Sequence, residues 1–223
     1  MFAGMALRRC AVFRPATAVF RLNICSLAAV GMRLIGFTKG DAWDADGEQD
    51  RRDQIMTNRI IIFMGVSGSG KTTLANRVAD DLPGAVVLEG DSFHLPQMKE
   101  KMRAGTPLSD EDRWPWLGRI KTAAIESVKQ QRTVIVTCSA LKKTYRNYLR
   151  EGLGDILCFV FLDVAPDILA MRHRARQHEY MSPLLLESQL ATLERPTLED
   201  GVIKISGDLT EAESVAEIMK HLL

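Results

Sequence analysis

The residues with the clearest chemical potential are Gly65-Val66-Ser67-Gly68-Ser69-Gly70-Lys71-Thr72, followed by Thr73. The spacing fits G-x-x-x-x-G-K-[ST], in which glycines let successive backbone N–H groups curl around a polyphosphate. Lys71 is then expected to reach the β/γ-phosphates of ATP, and the Thr72 hydroxyl to ligate Mg²⁺. Three further stretches carry groups that a phosphoryl transferase needs. Glu89-Gly90-Asp91-Ser92-Phe93-His94 offers Asp91, which could accept a hydroxyl proton or hold Mg²⁺ through water; the alternative is an exposed turn aspartate. Cys138-Ser139-Ala140-Leu141-Lys142-Lys143-Thr144-Tyr145-Arg146 places Lys142 and Arg146 four apart, on one helical face near the site. Arg172-His173-Arg174-Ala175-Arg176 places Arg172 and Arg176 on one face, where guanidinium forks match phosphate oxygens or serve the negative end of a helix dipole.

These groups need a scaffold, and the hydrophobic pattern predicts one. The apolar run 60–64 reads as a buried strand feeding the glycine loop, and 71–82 as the helix whose N-terminus faces the anion. Further strands are expected at 85–88, 133–137, 156–162 and 202–206. Helices are expected at 96–104, from Pro115 to about 130, at 142–151, from Pro166 to about 176, and at 184–193. A polar loop covers 177–183. Thr210 and Glu213 form a capping box for a final helix with Val215, Ile218, Met219 and Leu222 inward. Strands alternating with helices imply an α/β fold of the phosphate-loop NTPase type: three layers, a five-stranded mainly parallel sheet, and helices on both faces. Ligands then collect at the carboxyl ends of the strands.

The 223 residues divide into an N-terminal extension, 1–56, and a domain, 57–223. The extension has no acidic residue before Asp41 and carries Arg8, Arg9, Arg14, Arg21, Arg33 and Lys39. It fits an organelle-import presequence or an upstream reading of the start codon at Met56, and neither implies folded structure. Otherwise the domain is expected in the cytoplasm. The 57–223 stretch holds 21 basic against 22 acidic side chains, a balance that suits a small anionic substrate and excludes a nucleic-acid groove. The longest apolar piece of the extension, 22–32, is too short to span a bilayer. Cysteines 10, 25, 138 and 158 form no C-x-x-C pair and read as reduced structural thiols.

Taken together, Gly65 to Thr72, His94, Lys101-Met102, Gly105, Pro107-Leu108, Asp110, Asp112-Arg113, Pro115-Trp116-Leu117, Cys138-Ser139-Ala140-Leu141-Lys142-Lys143, Tyr145-Arg146, and Ser188-Gln189 with Thr192-Leu193-Glu194 resemble the gluconokinase family. That family is the small phosphate-loop type related in fold to shikimate and nucleoside monophosphate kinases, and the resemblance runs from about 59 to 222. It implies a 2-3-1-4-5 sheet, a mobile lid, often a homodimer, and ATP-dependent phosphorylation of the D-gluconate 6-hydroxyl with Mg²⁺. On that resemblance Asp91 orients or deprotonates the hydroxyl. Arg113 and Arg146 take the gluconate carboxylate, with His94 and Lys142 also at the substrate, and Arg172 and Arg176 close over the γ-phosphate. Leu95, Met98 and His178-Glu179-Tyr180 depart from the family pattern. A kinase for another small hydroxy acid such as shikimate, and a nucleotide-binding module without turnover, are the competing readings.

Overall fold

Five consecutive apolar residues, Ile60–Met64, form strand β1, and every one of their side chains is buried. A strand covered on both faces has no polar alternation to preserve, which explains the unbroken run. The computed structural model describes residues 59–130, 132–175, 183–197 and 201–223. On one side β1 pairs with β3 (Val134–Thr137), and β2 (Val86–Glu89) lies beyond it. On the other it pairs with β4 (Leu157–Asp163), and β5 (Val202–Ser206) lies beyond that. The order is β2-β3-β1-β4-β5, with every pairing parallel.

The two-residue period of β1 divides the core. Ile60, Ile62 and Met64 face Trp116, Leu117 and Ile120 of α3 (Asp110–Lys129) and Tyr145 and Leu149 of α4 (Lys143–Arg150). Ile61 and Phe63 face Leu74 and Val78 of α1 (Lys71–Asp80) and Ile218 and Leu222 of α7 (Glu211–Leu222). Burying each such side chain contributes about 1.5–3 kcal/mol, so the site rests on a sheet fixed from both faces. The remaining helices are α2 (Pro96–Arg103), α5 (Pro166–Ala175) and α6 (Pro183–Thr192). Among the described residues, no helix is long and apolar enough to cross a membrane.

Parallel strands bring their carboxyl ends to one edge, so the segments after β1, β2 and β3 converge there. Thr210 caps α7 as the sequence predicts, its hydroxyl accepting from the Glu213 N–H. The start expected at Pro115 requires correction. Helix α3 begins at Asp110, with Pro115 inside it, because Ser109 and Asp112 form a reciprocal capping box. That shift places Asp110 and Arg113 on ordered helix rather than on a loop. The extension 1–56, Arg176 and the His178-Glu179-Tyr180 loop expected as a lid lie outside the described residues.

Candidate active site

The chain leaves β1 through Gly65, turns through Gly68 and Gly70 with positive φ of 79° and 99°, and enters α1 at Lys71. Side chains at Gly68 or Gly70 would hold the backbone in a strained region. The Lys71 ammonium folds back over this loop and donates to the Gly65 and Val66 carbonyls at 3.1 and 3.0 Å. From α5, the Arg172 guanidinium donates to the Gly68 and Ser69 carbonyls at 3.2 and 3.4 Å. Arg172 therefore sits against the loop. The Thr72 hydroxyl donates to Glu89 at the end of β2, 2.9 Å away. Glu89 also accepts from the Thr137 hydroxyl at the end of β3, which fixes its carboxylate between two strands and the loop.

Two cavities flank the loop. One lies between Gly70, Thr73 and Arg172 and the Ser206-Gly207-Leu209 region after β5. The other is lined by Lys71, Asp91, His94, Arg113, Trp116 and Gln189, among others. Gly90, the residue before Asp91, packs against the end of β3. A Cβ there would stand 2.0 Å from the Thr137 carbonyl oxygen, so only glycine lets the chain pass this close to β3. The Trp116 indole donates to the Gly90 carbonyl at 2.7 Å, and His94 stacks on Trp116 with ring centroids 4.4 Å apart.

Asp91 follows directly, in the short 3₁₀ turn Gly90–Phe93. Its side chain is exposed to the cavity, and the buried His94 presents Nε2 to it at 3.6 Å. His94 Nδ1 is buried and has no hydrogen-bond partner among the described residues, and Nε2 is the ring nitrogen turned toward Asp91. The polar contact with His94, aided by the Lys71 and Lys99 charges, holds the Asp91 carboxyl below its ordinary range against the opposing effect of desolvation. Asp91 is thus an ionised acceptor beside Lys71. Burial pushes the Cys138 thiol up to about 12 and the Cys158 thiol to about 11. Both are unpaired, in keeping with structural roles; Cys10 and Cys25 lie outside the described residues.

Arg113 projects from the second turn of α3 and donates to the Tyr145 hydroxyl at 3.1 Å. Tyr145 in turn donates to Asp110, so Arg113 is oriented through a phenol anchored on a carboxylate. Lys142 and Arg146 were expected to share a helical face toward substrate, and the structure separates them. Lys142 is the extended N-cap residue of α4, and its ammonium donates to both oxygens of Asp110 at 2.9 and 2.7 Å. That ion pair, reinforced by Tyr145, lowers the Asp110 carboxyl. Arg146 is buried and donates to the carbonyls of Leu141 and Glu194, both at 3.1 Å, and Ala140 at 3.4 Å. It holds the turn in which Ala140 adopts φ 40°, and neither cation lines the cavity with Arg113.

Sequence reasoning gave no role to Trp116, Tyr145 or Gln189, although all three stand in the stretches that carry the family resemblance. Their partners lie 26, 32 and 122 residues away, beyond the reach of local spacing. Glu89 had a signal: a carboxylate ending a strand one residue before a glycine. With Thr72 it supplies hard oxygen donors of the kind Mg²⁺ takes. No cluster of three or more His, Cys, Asp or Glu capable of holding a metal occurs among the described residues.

Comparisons with known proteins agree with this geometry. Residues 60–196 match the family model described as AAA domain. The chain is 43% identical over 165 residues to the gluconokinase of Gluconobacter oxydans, covering 73% of this chain and 90% of that one. It is 39% identical over 186 residues to a probable gluconokinase of Dictyostelium discoideum, covering 78% and 90%. A solved gluconokinase structure from Sinorhizobium meliloti superposes with a TM-score of 0.65 at 40% identity, covering 74% of this chain and 91% of that one. With its phosphate loop, parallel sheet and Asp91–Arg113 cavity so arranged, the chain belongs to the gluconokinase family of phosphate-loop proteins.

Proposed function

We propose that this protein transfers the γ-phosphoryl group of ATP to the 6-hydroxyl of D-gluconate, giving 6-phospho-D-gluconate and ADP. The observation that carries the reading is a single cavity with the phosphate-loop Lys71 at one wall and both Asp91 and Arg113 facing it. Gluconate needs both partners: an acceptor for the reacting hydroxyl and a fork for the carboxylate. The nucleotide would enter by the opposite cavity, between Arg172 and the Gly207 region, leaving its terminal phosphate at Lys71.

In transfer, the O6–Pγ bond forms, the bond from Pγ to the β,γ-bridging oxygen breaks, and the hydroxyl proton leaves toward Asp91 or solvent. A strong base is unnecessary when bond cleavage runs ahead of bond formation. A carboxylate held below its ordinary range suits orienting the hydroxyl more than abstracting its proton early. Lys71 and Arg172 supply positive charge where charge accumulates on the transferred group. Thr72, Glu89 and Asp91 would hold Mg²⁺, which would supply charge neutralisation between the phosphates. Arg113 holds the far end of the acceptor throughout, and Lys142 supports that arrangement through Asp110.

An acceptor screen of the purified full chain with ATP, coupled to ADP release, tests this reading. Gluconate as the preferred acceptor among small hydroxy acids supports it. Preference for shikimate, or no ADP above the ATPase background with any acceptor, contradicts it.

A further inference from the structure

Gln189 lies on α6 and has no part in the mechanism above. Its side-chain carbonyl accepts the Ser67 backbone N–H at 2.7 Å, and the residue lines the same cavity as Lys71, Asp91 and Arg113. A carboxamide has one accepting end and one donating end. An N–H can only donate, so Ser67 takes the oxygen and the NH2 group is left for the cavity.

The helix that carries Gln189 is fixed along its length. Leu185 and Leu186 are buried, and the Thr192 hydroxyl donates to the Ser188 carbonyl at 2.7 Å. Just beyond α6, the Glu194 N–H donates to the Leu141 carbonyl at 3.0 Å. The Glu194 carboxylate accepts the Lys143 N–H at 2.6 Å, and its carbonyl accepts from Arg146. The Gln189 amide is thus anchored at the phosphate loop, on a helix whose following residue Glu194 is tied to the start of α4.

We propose that Gln189 is a specificity-determining residue whose amide NH2 donates to one secondary hydroxyl oxygen of the acceptor polyol. This inference rests on the gluconate reading. A carboxylate prefers the charged fork of Arg113, and the reacting hydroxyl needs an acceptor, which Asp91 provides. A neutral donor in the same cavity matches the remaining groups of a sugar acid, each of which has lone pairs to offer. A site that hydrogen-bonds a hydroxyl discriminates against the analogue lacking it, because its own polar group is then left unpaired.

The test is an enzyme–substrate cycle on the full-length protein. kcat/KM is measured for wild type, Gln189→Met and Gln189→Glu with gluconate and with its 2-, 3-, 4- and 5-deoxy analogues, alongside KM for ATP and Tm. Wild type should lose about tenfold or more on one analogue, the size of one hydrogen bond. Gln189→Met should lose a similar factor with gluconate, yet show less than about a threefold further loss on that same analogue. Gln189→Glu keeps an acceptor for Ser67 but cannot donate, and it should also lose the coupling. Equal losses in wild type and Gln189→Met on every analogue overturn the inference, as does full coupling in Gln189→Glu. Wild type inactive on gluconate overturns the gluconate reading itself, and this inference with it.

Discussion

Replacing Gly90 by alanine tests whether the turn that carries Asp91 packs on β3 as described. The new Cβ would stand 2.0 Å from the Thr137 carbonyl oxygen, a main-chain atom held between two strands, with Thr137 paired to Phe63 on one side and Glu89 on the other. Relief to an ordinary contact of above 3 Å therefore requires about 1 Å of movement by the 90–93 turn rather than by β3. Two bonds stretch with it: Gly90 N–H to the Thr137 hydroxyl at 3.2 Å, and the Trp116 indole to the Gly90 carbonyl at 2.7 Å. Each contributes about 1 kcal/mol, and a buried indole N–H left unpaired adds about 1–3, so the loss is about 3–5 kcal/mol. For a domain of this size that lowers Tm by about 6–20 °C. A displacement of about 1 Å at Asp91 should reduce kcat about 10²-fold. Gly84→Ala is the control: φ there is +75° with open space around the new Cβ. It should cost only about 1–2 kcal/mol and leave kcat unchanged. Differential scanning calorimetry and steady-state kinetics read both outcomes. Wild-type Tm and kcat in Gly90→Ala would refute the packing argument.

Lys71→Ala should lower kcat by about 10²-fold or more, because the ammonium acts on phosphate charge, while Tm stays within about 2 °C of wild type. Tyr145→Phe removes the hydroxyl that orients Arg113 and should raise KM for gluconate about tenfold, with a smaller effect on kcat and on KM for ATP. The pH profile of kcat should report Asp91. Its carboxyl is depressed chiefly by His94, so wild type keeps the ionised form as pH falls and loses activity only below the ordinary carboxylate range. His94→Phe preserves the stack on Trp116 but removes the imidazole, so the Asp91 carboxyl rises and the acid limb of the profile should move to higher pH. An unmoved limb would show that another group sets it.

The fold was legible where local pattern and tertiary packing agree. An apolar run ending in Gly65 has few other uses than a buried strand feeding a tight loop, and α7 starts at a capping box visible in four residues. Helix α3 was misplaced because Pro115 looks like a first-turn residue. Ser109-x-x-Asp112 already held the true start, with aspartate doing the work more often done by glutamate or glutamine. The site was legible to the extent that chemistry sits on strand ends: Lys71, Thr72 and Asp91 follow β1 and β2 directly. Lys142 and Arg146 were not separable by sequence, since both are cations four residues apart. Their roles diverge only because α3 brings Asp110 to one of them, while the segment after α6 brings the Glu194 carbonyl to the other. Such pairings depend on how distant helices cross the sheet, and no local spacing records that.

The most direct test of the whole account is steady-state kinetics of Asp91→Asn against wild type, with gluconate as the varied substrate. Asparagine preserves shape and some hydrogen bonding, so ground-state binding persists, but it removes the charge that orients the hydroxyl as transfer begins. The account predicts a fall in kcat of about 10²–10⁴-fold with KM for gluconate changed less than about threefold. A variant that keeps wild-type kcat and shows only a raised KM would make Asp91 a binding group and contradict the assignment of this cavity's chemistry.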